Sequence, residues 1–377
     1  MNWVLVLTMF CLLVFGVFSI YGASWTRESE YLRNSWNRQI VWIAVGTGVF
    51  FVTALIDYRW VNWGAIPLYL GSLALLIALL FLGVEKSGAR SWLDIGGFSL
   101  QPSQPAITSG ILLLALVLSR LQSMHRFFRH PFVRLLACGL IFVPPFLLVL
   151  KEPDIGSAAV WLPVVGAMLL VGSIPFRYLI VITLAGTMVV PVTYFFVLKS
   201  YQKARIDTYL DMLMGRPFDE QGAGWVPRHC MIAIGSGGWE GKGFRTRSSV
   251  SNTWLPEDVV INDFIFATIA EEQGFRGAMI LLSGQALLLL QCIFVAFYAR
   301  DQFGRLICVG VITLIFTHVF MNAGMNILLV PITGLPLPLI SYGGTFVLVI
   351  MFLLGLVQSV WVHRDAAIAE KEKAPGF

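Results

Sequence analysis

Residues 254–299 read WLPEDVVINDFIFATIAEEQGFRGAMILLSGQALLLLQCIFVAFYA, and the join inside this stretch decides the fold. From Gly277 to Ala299 the chain carries no charged residue. That is long enough to cross the hydrocarbon of a bilayer as a helix, which takes about 20 residues. The part before it has the opposite character. Glu257, Asp258, Asp263, Glu271 and Glu272 gather there, five of the chain's 21 acidic residues, around the short apolar run DFIFA. A membrane helix is thus preceded by a concentration of carboxylates, and the placement needs a chemical reason.

The rest of the chain repeats the apolar half of this pattern. Of its 377 residues 57% are hydrophobic and 12% charged, a balance that excludes a soluble globular domain. Ten apolar stretches reach spanning length: 3–24, 39–56, 60–84, 103–119, 135–150, 155–175, 178–198, 277–299, 306–329 and 338–362. Alternating ten-residue strands are missing, which excludes a β-barrel. The expected fold is an all-α polytopic membrane protein of about ten transmembrane helices. It reads as a single membrane domain over 1–377, with one long extracytoplasmic loop, 199–276, between helices 7 and 8. The charge-free start, Met1 to Trp25, reads as a retained helix with no basic leader or separate cleavage region.

Ten spans put both termini on one side, and the distribution of Lys and Arg chooses which. With cytoplasmic termini the inner loops and tail hold eleven basic residues against six in the short outer loops. The expectation is therefore a multi-pass membrane protein with both ends cytoplasmic. The net charge of +5 then serves orientation, and nothing points to nucleic acid. Cys11, Cys138, Cys292 and Cys308 fall inside expected helices and Cys230 in a loop, with no CxxC or HExxH, so a disulfide scaffold or structural zinc is not expected. His318 lies within a span and reads as a packed, hydrogen-bonded residue.

Four segments break the pattern on the outer side. They are EKSGARSWLDIGGFSLQPSQP (85–105), KEPDIGSA (151–158), PITGLPLPLISYGGT (331–345) and the long loop with its glycine-rich AIGSGGWEGKGF (233–244). Irregular backbone cannot face lipid, since each unpaired amide costs several kcal/mol there; it must be buried in protein or line a wet cavity. These segments are expected to border one polar cavity opening outward. The glycine cluster resembles a phosphate-cradling loop only loosely, without a preceding strand, and permissive turn geometry accounts for it as well.

Among the residues that carry chemistry Asp263 comes first. Asn262-Asp263 before FIFATIA has the form of a helix N-cap, yet a carboxylate at the rim of a low-dielectric cavity also suits a general base. Glu271 and Glu272 read as a solvated helix end. Lys151, Glu152 and Asp154 read as a charged turn with Asp154 as a cap, or as substrate contacts. Trp92 reads either as part of an interfacial aromatic belt or as a sugar-stacking ring. Arg205, Lys242, Arg245 and Arg247 give the long loop a basic face that is a mixed solvated surface or a clamp for a lipid diphosphate.

The blocks GARSWLDIG, QPS, KEPDIGSA, YQKARI, AIGSGGWEGKGF, WLPE, DFIFA, EEQGFRG, MNAGMN and PITGLPLPLISYGGT stand in the order of the SEDS family (shape, elongation, division and sporulation), which the chain resembles over about residues 85–362. YQKARI and GKGF are closer to the RodA branch than to FtsW. The resemblance implies a ten-helix peptidoglycan glycosyltransferase that polymerises lipid II, partnered by a class B penicillin-binding protein. It implies Asp263 as the catalytic carboxylate, Arg90 and Trp92 in the GxRxW block, and Lys151, Asp154, Arg205 and Lys242 as substrate contacts. A divalent cation such as magnesium or manganese at the diphosphate is compatible with it. Three departures stand out. Gln104 and Ile107 replace a Glu–Lys pair, Asn262 replaces Thr, and Leu328 replaces Gly. Loss of both members of a pair leaves no orphan charge. Two rival readings remain beside this one: a lipid II flippase, and a non-catalytic paralogue that scaffolds a penicillin-binding protein.

Overall fold

The computed structural model describes residues 1–25, 29–86, 89–95, 98–124, 127–198, 200–246 and 249–365. Its elements in chain order are α1 (Trp3–Ser24), α2 (Glu30–Arg33), α3 (Ser35–Leu55), α4 (Val61–Leu82), β1 (Val84–Lys86), β2 (Ala89–Ile95), β3 (Phe98–Leu100), α5 (Ser103–Ser123), α6 (Pro131–Lys151), α7 (Ile155–Val171) and α8 (Phe176–Val192). Then come α9 (Ser200–Leu213), α10 (Trp225–Gly237), α11 (Val250–Trp254), α12 (Glu257–Val260), α13 (Ile265–Tyr298), α14 (Gln302–Asn326) and α15 (Gly344–Val362). Among the described residues nine helical segments are long and apolar enough to span a bilayer, and α7 is a shorter apolar helix that makes the tenth. The protein is a polytopic helical membrane protein.

The bundle is organised around α14, which packs against α13, α7, α5 and α15; α3 pairs with α15, α4 with α5 and α1 with α13. Helices α5, α14 and α15 are buried along most of their length, while α8 lies on the periphery. Two polar faces cap the bundle. On one, the Tyr58 backbone N–H donates to Ser359 (2.9 Å), the Tyr58 hydroxyl to Asp301 (2.5 Å), Gln302 to Val171 O (2.9 Å) and Arg134 to Gly172 O. This face gathers the connections near 56–60, 171–175 and 299–301. The opposite face gathers 84–102, 151–157, the long connection and 327–343.

The long connection is itself folded. Helix α10 packs along α13 and α14, and α11 and α12 lead down to the start of α13. Three features differ from the sequence-based expectation. Val84–Lys86, Ala89–Ile95 and Phe98–Leu100 form a small antiparallel sheet in the order β1-β2-β3, with Val84 opposite Trp92 and Asp94 opposite Ser99. Helix α13 starts at Ile265, not near 277, and is broken by Gly274 (φ 66°, ψ −165°). Residues 338–343 do not belong to the last helix, which starts at Gly344.

The irregular 331–343 segment lies deep in the protein, and its backbone is satisfied by side chains from several helices. Gln285 donates to Pro338 O (2.7 Å), His318 to Pro336 O (3.1 Å) and Asn322 to Leu335 O (2.7 Å). Gln39 donates to Ser341 O and accepts from Gly343 N, both at 3.3 Å. Ser341 turns back to accept from Leu337 N (2.7 Å). These intramembrane polar side chains replace the water the backbone would otherwise need, and His318 is the packed, hydrogen-bonded residue expected.

Candidate active site

Asp263 is held by its neighbours' peptide groups. Val260, Ile261 and Phe264 are buried around it, whereas Asp263 itself is half-buried. The Ile261 carbonyl accepts from Tyr342 N (2.9 Å) and the Asn262 carbonyl from the Ser341 hydroxyl (2.5 Å). The Asp263 carbonyl accepts from Asn322 (2.9 Å) and Asn326 (3.4 Å), which lie one turn apart on α14. Three successive carbonyls are therefore pinned to α14 and the 341–342 strap, which fixes the direction of the side chain. The cap residue of α13 is Phe264, one position after Asp263, so Asp263 is not its N-cap. One carboxylate oxygen lies 3.3 Å from the point where a Cβ at Gly334 (φ 70°) would stand. Glycine there accepts left-handed backbone and leaves the carboxylate room.

Segment 328–334 brings the other candidates toward Asp263. A Cβ on Gly156 would fall 2.3 Å from Thr333 O, so the turn before α7 lies directly against the residue preceding Gly334. Asp154 in that turn caps α7, accepting from Ser157 N (2.9 Å) and from Gln101 (3.1 Å). Burial pushes its carboxyl pKa up, opposed by the donors from Ser157 and Gln101. The Gln101 bond ties the β1–β3 sheet to the same turn. Trp92 is half-buried on β2; Arg90 also lies on β2, and its side chain falls outside what the structure describes. Lys151 ends α6 and is exposed. Arg205 is exposed on α9 and lines a narrow cleft with Tyr209, Pro227, Leu328 and Ile332, while Tyr209 donates to Leu329 O (3.0 Å). That cleft, about 10 Å³, has room for about one water. The segments therefore converge as expected but stand close together in this conformation. An apolar groove of about 680 Å³ between α1 and Phe244 includes none of these residues.

Glu152, between Lys151 and Asp154, is 2% exposed, and neither carboxylate oxygen finds a hydrogen-bond partner among the described residues. Burial, reinforced by neighbouring Asp154, pushes its pKa up to about 8.

Lys242 belongs to a different part of the face. Its ammonium meets Glu271 at 2.7 Å, and Glu271 also accepts from the Ser249 hydroxyl (3.0 Å), Val250 N (2.6 Å), Ser251 N (2.9 Å) and the Ser251 hydroxyl (2.7 Å). Glu271 is 0% and Glu272 2% exposed, so the solvated helix end expected from sequence is instead a buried staple, since five donors repay the carboxylate's desolvation. The glycine-rich loop completes it. Lys242 N donates to Glu271 O (2.9 Å), Gly243 N to Glu272 O (3.0 Å), Phe275 N to Gly238 O (2.9 Å) and Arg276 N to Trp239 O (3.3 Å). The amides and carbonyls freed by the break at Gly274 are thus paired by residues 238–243, and this is what the glycine cluster does.

Sequence reasoning passed over Asn322 and Asn326 as site-forming residues. Their signal was present: two amides four apart within an otherwise apolar span, where polar side chains are rare and point inward.

The fold and site define a polytopic membrane protein with a carboxylate anchored at the outlet of its bundle, among irregular segments from four parts of the chain. The family model for FtsW/RodA/SpoVE cell cycle proteins matches residues 2–366, and the chain belongs to this family. It is 32% identical over 361 residues to the Escherichia coli protein named peptidoglycan glycosyltransferase MrdB, covering 96% of this chain and 93% of that one. It is 28% identical to peptidoglycan glycosyltransferase RodA of Treponema pallidum, covering 95% and 97%. Among solved structures, a chain of a peptidoglycan synthase complex superposes with a TM-score of 0.76 at 28% identity, over 96% of this chain and 98% of that chain. Thermus thermophilus rod shape determining protein RodA superposes with a TM-score of 0.68 at 27% identity, over 96% and 97%.

Proposed function

We propose that this protein is a RodA-like peptidoglycan glycosyltransferase that polymerises lipid II for cell elongation and cell shape. In this reading it sits in the bacterial inner membrane with both termini cytoplasmic, the long connection outside and a class B penicillin-binding protein beside it. The observation that carries the reading is the anchoring of Asp263, whose flanking carbonyls are bonded to α14 and to the 341–342 strap. Asp263 takes the proton from the 4-hydroxyl of the acceptor's N-acetylglucosamine. That oxygen attacks the anomeric carbon of the donor's N-acetylmuramic acid from the face opposite the leaving group, and undecaprenyl diphosphate departs with inversion. Arg205 and Lys151, both exposed near the same segment, receive the developing diphosphate charge, and Arg90 and Trp92 border the acceptor.

Among the described residues no group of three His, Cys, Asp or Glu side chains could hold a metal by itself. A magnesium or manganese ion held through water and the substrate's phosphates would need no such group and would offset the diphosphate charge beside Arg205 and Lys151. Gln104 and Ile107 are each 3% exposed. A neutral pair there needs no counter-charge, although Gln104 Oε1 has no hydrogen-bond partner among the described residues and keeps the scaffold reading as the second choice. Against the flippase reading, Gln39, Gln285, His318 and Asn322 each donate an N–H to the 331–343 backbone, which accounts for intramembrane polar residues without a path through the membrane.

The test is polymerisation of fluorescent lipid II by the purified protein, alone and with its penicillin-binding protein, beside Asp263→Asn. Glycan chains from the wild type and a loss of at least about a hundredfold in the variant are expected, the range of a general base. Equal chains from both would remove Asp263 from the reaction. No chains from either, with an active partner, would transfer the weight to the scaffold.

A further inference from the structure

We infer that the rings of Trp225, His229 and Trp254 form a binding platform for a β-1,4-linked amino-sugar strand. This deepens the function proposed above, since such a strand is the product that reaction makes.

The three rings lie on α10 and α11. Trp225 and His229 centroids are 4.1 Å apart with planes at 36°, His229 and Trp254 5.8 Å at 29°, and Trp225 and Trp254 6.0 Å at 64°, so the rings pack on one another and back the Trp254 ring. Trp254 is 52% exposed. Trp225 and His229 are half-buried. Two of the ring nitrogens are used internally. The Trp225 indole N–H donates to Trp254 O (3.0 Å), and His229 Nδ1 donates to Trp225 O (2.7 Å), which fixes both rings and the tautomer. A tryptophan of the membrane-interface belt keeps its N–H for headgroups and water. In Trp225 that group is spent, so the two rings behind the exposed Trp254 are held in place.

A fixed aromatic face beside charged groups suits a pyranose ring, whose axial C–H groups meet the π-face while its hydroxyl and amide substituents turn to polar neighbours. Arg228, adjacent to His229 on α10, pairs with Glu220 on the same exposed surface and supplies both a donor and an acceptor. The platform also stands where product would pass. Trp254 leads through buried Leu255 and α12 to Asp263. Pro227, two residues after Trp225, faces Arg205 across the narrow cleft. The rings are thus joined by short rigid segments to both the carboxylate and the arginine.

The test is calorimetric titration of the full-length protein in detergent with the β-1,4-linked tetramer of N-acetylglucosamine. Saturable binding is expected, weakened about tenfold or more in Trp254→Ala and kept within about threefold in Trp254→Phe, which retains an aromatic face. Glycan strands made by Trp254→Ala would be shorter than those of the wild type. Absence of tetramer binding to the wild type, or equal binding by Trp254→Ala, would overturn the platform. So would loss of penicillin-binding-protein capture in Trp254→Ala without any sugar binding, which assigns the rings to a protein partner. Sugar binding in a protein that makes no glycan would instead overturn the polymerase reading and leave the platform standing.

Discussion

Leu328 follows the end of α14 with φ +56°, a left-handed conformation that costs a residue with a Cβ about 1–2 kcal/mol. Glycine, which the SEDS pattern places there, avoids that strain. Leu328→Gly is expected to raise stability by about 1 kcal/mol, the strain relieved minus the leucine's contacts in the cleft beside Arg205, read as a higher midpoint of thermal unfolding in detergent. Glu152 gives a residue-scale prediction of opposite kind. Its pKa rises from 4.5 in the unfolded chain to about 8 when folded. Between those pH values the unfolded chain has released a proton that the folded protein keeps, so stability falls as pH rises through that window and levels off above it. Glu152→Gln should remove this slope, and its advantage in melting temperature over the wild type should grow from about pH 5 to pH 8. An advantage constant with pH would mean that Glu152 is ionised in the folded protein. Asp263 was legible in the sequence because a carboxylate beside an apolar run is conspicuous. Glu271 was misread because nothing local announces that Lys242, Ser249 and Ser251 will close over it.

At the scale of the element, the break in α13 and the 237–243 loop are one structure. A Cβ on Gly274 would stand 2.4 Å from Gly241 N and 2.6 Å from Trp239 O, at a φ of +66°. Gly274→Ala should therefore cost about 3 kcal/mol, strain and overlap together, seen as a lower unfolding midpoint and faster proteolysis of the 237–243 loop. A variant as stable and as resistant as the wild type would show that the loop does not depend on this contact. Each half of the device was visible separately, Gly274 in EEQGFRG and the glycines in AIGSGGWEGKGF. Their pairing was hidden because it joins residues 30 or so apart, and nothing in the local sequence matches Lys242 to Glu271 or Glu240 to Arg276. The β1–β3 sheet was missed for another reason: two of its strands have only three residues, and the glycines between the strands and the prolines after β3 read as loop in the sequence.

For the whole molecule, the number and order of the spans were readable, because a bilayer imposes a length and excludes charge. Their ends were off by up to 12 residues (Ile265 against Gly277) where α13 runs on into the outer connection. The helix order around α14 was not readable, since apolar faces in lipid carry little periodic signal about which neighbour they meet. The gathering of the irregular segments on one face followed from their positions in the chain; how they are held did not. That holding has a consequence for how the protein is made. Gln39, Gln285, His318 and Asn322 all precede the 331–343 segment whose backbone they bind. During synthesis these side chains enter the membrane before their partners exist. A chain cut short of residue 331 would therefore carry exposed amides and an imidazole among its helices, a built-in mark by which an incomplete copy differs from a finished one.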